Sequence, residues 1–189
     1  MKKSLIPLFA LALVGVAHAQ SENFATDPGH TWITFEAKHF GTSTLRGRFD
    51  KKEGSITVDP TAKTGKADIT IDISSLSTGT PALDTHLKSK DFFNAAENPT
   101  AKFVGDKFNF DGSKVTSVVG TLTLLGKTQP VTLTSTSFNC YDHPMLKRQV
   151  CGGDFETTIA RSQWGMDYGL KFGLPDNIRL LIEVEAVKQ

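Results

Sequence analysis

Four histidines lie beyond the first twenty residues of this 189-residue chain, His30, His39, His86 and His143, and they are the first place to look for chemistry. His39 is the sharpest case. Alternation puts it on the same face as Ile33, Phe35 and Ala37, where a neutral imidazole meets a ligand head group, holds a metal, or acts as acid or base. The plainer reading is a hydrogen-bonded histidine near the end of a strand. His86 stands close to Asp84, Lys88 and Lys90, which suits either a cavity mouth or a solvated turn. His30 falls in a turn before a long strand, and His143 in a polar stretch between two cysteines. No pair has the spacing of a metal-binding motif, and neither His-Glu-x-x-His nor a calcium loop occurs, so no metal, cofactor or catalytic residue is expected. Two other strings are near misses. Gly120 to Gly126-Lys127-Thr128 resembles a phosphate-binding loop but has five residues between its glycines instead of four, and its alternation favours a strand and turn. Gly41-Thr42-Ser43-Thr44 begins like a nucleophile elbow, yet Leu45 stands where the closing glycine is required.

The cysteines are more informative. Cys140 and Cys151 are eleven positions apart and flank the polar, Pro-containing stretch 141–150. In an exported chain this spacing predicts a disulfide across a hairpin loop, away from any cavity wall. Export is itself expected. Lys2 and Lys3 precede an apolar run from Leu5 to Val16 and then Ala17-His18-Ala19, the pattern of a cleavable signal peptide over residues 1–19. That run is about 12 residues, roughly 18 Å as a helix against a ~30 Å hydrocarbon core, and no later segment is longer. A membrane-spanning chain is therefore not expected. Lys and Arg total 21 against 20 Asp and Glu, which gives no field to draw in nucleic acid.

Residues 20–189 must supply the elements that position any site. From Thr31 onward a period of two dominates: Ile33, Phe35, Ala37; Leu45, Gly47, Phe49; Ile56, Val58; Ala67, Ile69, Ile71; Val118, Gly120, Leu122, Leu124; Val131, Leu133; Phe155, Thr157, Ile159; and Ile178 to Ala186. With the short runs 101–104 and 108–110, this makes about eight or nine strands, separated by Gly, Asp and Pro turns that imply antiparallel neighbours. Only the stretch from Pro81 to Ala96 breaks the period, as a short helix that Asp84 can cap and Asn98-Pro99 stops. One helix cannot cover so many strands, so the apolar faces must pack on one another, as a sandwich or a closed barrel. No repeat or linker divides the chain, and one domain is expected.

These segments carry a resemblance. Gly29-His30-Thr31 through Lys38-His39-Phe40-Gly41, Gly47-Arg48-Phe49, the run Ile71 to Gly79, the run Asp84 to Asn94, Asn98 to Phe103, Val119 to Gly126, Pro130 to Leu133 and Arg161-Ser162-Gln163-Trp164-Gly165-Met166 are similar, in order, to the YceI family. The resemblance implies an all-β, lipocalin-like antiparallel barrel of about eight strands with a short helix, exported to the periplasm, whose elongated apolar cavity holds a polyisoprenoid or related lipid such as a quinone. Two departures are visible. Gln163-Trp164 stands where the family usually has an acidic residue and Phe, and the cysteine loop occurs in only part of the family.

On this reading the cavity wall draws on the inward positions Phe35, Phe49, Ile71, Phe103, Leu122, Phe155, Ile159 and Ile182. Trp164, Phe92, Phe93 and Met166 lie in segments that close the barrel, and His39 and His86 are candidates for the ligand's polar end. Lys38, Arg46, Arg48, Lys88, Lys90 and Arg161 are the cations to consider for a pyrophosphate. Exposed sheet edges leave a homodimer open. Two rival classes stay open as well: an interaction or stress-response module whose barrel is filled by its own side chains, and an enzyme acting on a small amphiphile through His39 or His86.

Overall fold

The computed structural model describes residues 21–189, and the expected signal peptide lies outside them. Eleven strands and one α-helix follow in order: β1 (Glu22–Thr26), β2 (Trp32–His39), β3 (Ser43–Phe49), β4 (Lys52–Asp59), β5 (Thr64–Asp72), β6 (Leu76–Ser77), α1 (Pro81–Lys88), β7 (Thr100–Asp111), β8 (Lys114–Leu124), β9 (Lys127–Asp142), β10 (Gln149–Ala160) and β11 (Asn177–Lys188). Every pairing is antiparallel. β1, β4, β5, β7, β8, β9, β10 and β11 close on themselves as an eight-stranded barrel through the β1–β11 pairing, so the expected fold holds.

The extra strands arise because two long strands are interrupted. β3 and β4 are separated only by Asp50 and Lys51, and β1 and β2 by residues 27–31. β11 is long enough to serve both halves: Ala186 to Lys188 pair with β1, and Arg179 to Glu183 pair with β2. Where it passes from one partner to the other, the buried Thr31 hydroxyl accepts from the Glu185 N–H (3.3 Å) and donates to its carbonyl (3.1 Å). The Asp27 N–H also donates to that carbonyl (2.8 Å), so the Thr31 hydroxyl chiefly supplies the acceptor that the Glu185 N–H would otherwise lack across the break.

Two consequences of register were hidden in the sequence. The runs 101–104 and 108–110 are one strand, β7, with a register shift between Gly105 and Lys107. This bulge moves the buried positions from Ala101 and Phe103 to Phe108, and it lets odd and even residues face one core. A second shift, opposite Asp154 and Phe155, leaves Thr136 as the extra residue of β9 and moves its inward positions from Val131 and Leu133 to Phe138 and Cys140. Helix α1 begins with Pro81 at its first position, but Asp84 does not cap it. Thr80 occupies the N-cap, and the Asp84 carboxylate reaches back past it to accept from the Thr78 N–H (2.7 Å) and hydroxyl (2.6 Å).

Candidate ligand-binding site

Inward side chains leave the barrel incompletely filled, and the space falls into two cavities along its length. The larger, about 480 Å³, lies at the end formed by β1, β4 and the cysteine-bearing strands; its wall includes Phe24, Phe103, Phe108, Val115, Phe138 and Phe155. The smaller, about 280 Å³, lies at the end formed by β2, β3 and α1; its wall includes Phe35, Leu83, Phe93, Leu122, Ile159 and Leu180. Ile33 lines both. It stands in a cross-barrel row in which Phe155 pairs with Ile182, Ile182 with Ile33 and Ile33 with Phe49, so this layer is the waist.

The sequence-based candidates divide between the two. Phe35, His39, Phe49, Ile71, His86, Leu122 and Ile159 line the helix-end cavity; Phe103, Phe155 and Ile182 line the disulfide-end cavity. Trp164 lines neither. The β9–β10 ladder stops at the Thr134–Glu156 pair, so residues 127–133 and 157–160 lack each other as partners. The turn Arg161–Trp164 fills that seam: Trp164 is only 1% exposed and donates its indole N–H to the Leu122 carbonyl (3.0 Å), while Gln129 donates to the Gln163 carbonyl (3.1 Å). A tryptophan in this position closes the wall from outside the cavity.

Of the cations, Lys38 and Arg161 reach the helix-end cavity. Arg46 and Arg48 face outward, paired with Glu36 (2.7 Å) and Asp50 (2.7 Å). Arg161 is buried, and its guanidinium donates to the carbonyls of Pro175 (2.8 Å), Met166 (2.6 Å) and Tyr168 (2.8 Å). Burial pushes its pKa down, with Asp176 and Asp167 opposing that fall. Asp176 in turn accepts from the Ser162 N–H (2.8 Å) and hydroxyl (2.7 Å), which holds its carboxyl below the ordinary value. Arg161 therefore ties the loop at the cavity mouth together, and its hydrogen-bonding capacity is largely spent on the protein.

Cys140 and Cys151 are directly opposed on β9 and β10 and joined as a disulfide. Contrary to the expectation that the bridge sits apart from the cavity, both cysteines belong to the disulfide-end wall. Phe24, Phe108, Val115, Leu83 and Leu174 also line the cavities without having been singled out. Phe24 is an isolated apolar residue in a five-residue strand, and the Phe108 and Val115 positions became inward only through the bulges.

The histidines do not assemble. His39 is exposed at the helix-end mouth against Phe40, His86 lies beside Asp91 (3.3 Å), His30 bonds Asp27 (2.8 Å), and His143 accepts from the N–H groups of Met145 and Leu146 within its own loop. No group of three or more His, Cys, Asp or Glu side chains suited to a metal ion occurs among the described residues.

Comparison with known proteins gives a consistent result. The YceI-like domain family matches residues 24–186. Protein YceI of Escherichia coli O157:H7 is 33% identical over 100% of both chains. The crystal structure of the Campylobacter jejuni YCEI protein superposes with a TM-score of 0.68 at 28% identity, covering 80% of this chain and 90% of that one. A polyisoprenoid binding domain from Saccharophagus degradans, implicated in plant cell wall breakdown, superposes with a TM-score of 0.64 at 14% identity, covering 88% of this chain and 98% of that one, and thus shares the fold.

Proposed function

The chain belongs to the YceI-like domain family, and from that premise we propose that it binds a long-chain lipid of the polyisoprenoid kind inside the barrel and carries or stores it in the periplasm. The observation that carries this reading is the pair of apolar cavities that share Ile33 along one barrel. A flexible chain that displaces the waist side chains would occupy both, and each part of its length would leave water at about 25 cal/mol per Å² of apolar area. Binding of this kind needs no covalent step. The likeness to the Saccharophagus polyisoprenoid binding domain supports the ligand class. The leader-like start of the sequence and the disulfide support the compartment. The polar end of the lipid would lie at the helix-end mouth, near Lys38, His39 and His86. Because Arg161 already bonds three carbonyls, it is not the group that would hold a pyrophosphate, and Lys38 is the wall cation left for a charged head group.

The test is a titration of delipidated protein with a long-chain quinone, a polyprenyl pyrophosphate and a fatty acid, in wild type and in Leu122→Trp. Leu122 is buried in the helix-end wall, so the larger ring should fill the space and abolish saturable binding while overpacking costs about 1–3 kcal/mol of stability. If all three lipids fail to bind the wild type, or a folded Leu122→Trp protein binds them equally well, the carrier reading is wrong.

A further inference from the structure

The mouth of the helix-end cavity carries aromatic side chains that the fold leaves in water. Phe40, in the turn between β2 and β3, is 56% exposed, and Phe172, in the turn Leu170–Phe172, is 78% exposed. They come from distant parts of the chain, yet the turn that carries Phe172 lies against Phe40: a Cβ at the next residue, Gly173, would stand 3.6 Å from the Phe40 ring. Tyr168 continues the patch inward: its ring meets those of His86 (5.2 Å between centroids) and Phe92 (5.1 Å), both wall residues of that cavity. The backbone presents these rings deliberately. Phe40 adopts φ +49°, where glycine or asparagine would be unstrained, and Phe172 sits between left-handed Gly169 (φ +76°) and Gly173 (φ +93°).

Charge at this rim favours an anionic partner. Lys38 and Lys171 are exposed and flank the two rings in sequence, and Lys90 is exposed just beyond α1. Of the nearby acids, Asp91 is engaged by His86 (3.3 Å), which leaves Asp167 as the exposed counterweight. An aromatic pair with adjacent lysines around the opening of an apolar cavity has the composition of a surface that enters the boundary between lipid headgroups and acyl chains. The opposite end also has an apolar tip, Met145 and Leu146 between the cysteines, with Lys147 and Arg148 beside it. None of these four lines the disulfide-end cavity, whereas Lys38 and Tyr168 of the other patch, and His39 beside Phe40, are wall residues of the helix-end cavity, so only there are patch and cavity continuous.

We propose that the helix end docks on an anionic bilayer, with Phe40 and Phe172 entering the interface and Lys38 and Lys171 meeting lipid phosphates, so that the cavity opens against the membrane and a lipid enters without crossing water. The purpose of docking rests on the lipid-binding reading, but its test does not. The protein is sedimented with vesicles containing phosphatidylglycerol and, in parallel, with pure phosphatidylcholine vesicles, at low and high salt. Wild type should bind the anionic vesicles, less so at high salt, and the double variant F40S/F172S should partition about tenfold more weakly. M145S/L146S should behave as wild type. Lipid titration in solution should be unchanged in F40S/F172S, so that a docking failure is distinguishable from a failure of lipid binding. Equal vesicle binding by wild type and F40S/F172S, absence of binding by the wild type, or loss in M145S/L146S instead would overturn the proposal. So would a solution dimer that F40S/F172S dissociates, because the aromatic patch would then cover a second copy of the chain.

Discussion

At the disulfide end the barrel is knitted all the way round by backbone ladders, with β1 bridging β4 and β11 and the Cys140–Cys151 bond tying β9 to β10. At the helix end two seams interrupt that ladder. β9 and β10 part company beyond Thr134 and Glu156, and the two-residue β6 pairs with β3 alone, leaving α1 and residues 89–99 to cover the way to β7. Here closure is the work of side chains: Trp164 on the Leu122 carbonyl, Arg161 on three loop carbonyls, Asp176 on Ser162 and Asp84 on Thr78. Backbone ladders open only by local unfolding, whereas a seam closed by side chains can part while every strand keeps its partners. The difference suits one end to holding the barrel together and the other to admitting a chain.

The most severe way to break this contrast is Trp164→Ala. Removing a fully buried indole leaves a cavity and loses its hydrogen bond to the Leu122 carbonyl, with an expected loss of about 3–5 kcal/mol in urea unfolding. Trp164→Phe should recover most of the packing and lose chiefly the hydrogen bond. Hydrogen exchange should show faster exchange in residues 127–133 and 157–160 while β1 and β4 stay protected. A uniform loss of protection would mean that the two ends are one cooperative unit.

Second in size is the double variant C140S/C151S, which removes a closure of a short loop worth roughly 3 kcal/mol in the chain-entropy account. Because both cysteines line the larger cavity, the loosening should appear at that end, as faster exchange in residues 138–142 and 149–153, with Trp164 fluorescence unchanged. A shifted Trp164 spectrum with undisturbed exchange at the hairpin would invert the assignment. Trp32 supplies a second indole, so the comparison is made in a Trp32→Phe background.

The same contrast explains what the sequence disclosed and what it withheld. Period-two runs such as Ile33, Phe35 and Ile178 to Ala186 report a barrel because burial on one face of a strand is a local pattern. The short strand β1, and the break that separates it from β2, were less legible, since the switch of β11 from one partner to the other depends on Thr31 and Glu185, which are 154 residues apart. The bulges in β7 and β9 invert parity with little sequence mark: Gly105 precedes the unpaired Asp106 of the first, and the unpaired Thr136 of the second stands in the plain run Ser135-Thr136-Ser137. Trp164 illustrates the limit for the site. Its type and neighbours fit a cavity wall as well as a seam, and only the point at which the β9–β10 ladder stops decides between them.

The smallest effect separates the ends by pH. At the helix end the side-chain closures include Asp84 and Asp176, whose carboxyls are held low by hydrogen bonds from Thr78 and Ser162. A depressed carboxyl contributes stability that is present above its unfolded value near 3.8 and is lost as pH falls through the lower folded value, so this end weakens only in acid. In the turn that joins β1 to β2, Asp27 is likewise held low by its bond to His30, and His30 is raised above 6.5 by Asp27. The raised imidazole adds a contribution that is complete below 6.5 and fades as pH rises through its folded value. That turn should therefore loosen on both the acid and the alkaline side, whereas the two carboxyls of the helix end add no alkaline limb. Because His30 is on the surface, solvent screens the pair and the change is slight. An NMR titration of the His30 ring measures it directly. Its midpoint should lie above 6.5 in the wild type and fall toward 6.5 in Asp27→Asn, and an unchanged midpoint would remove the pair from the account of that turn.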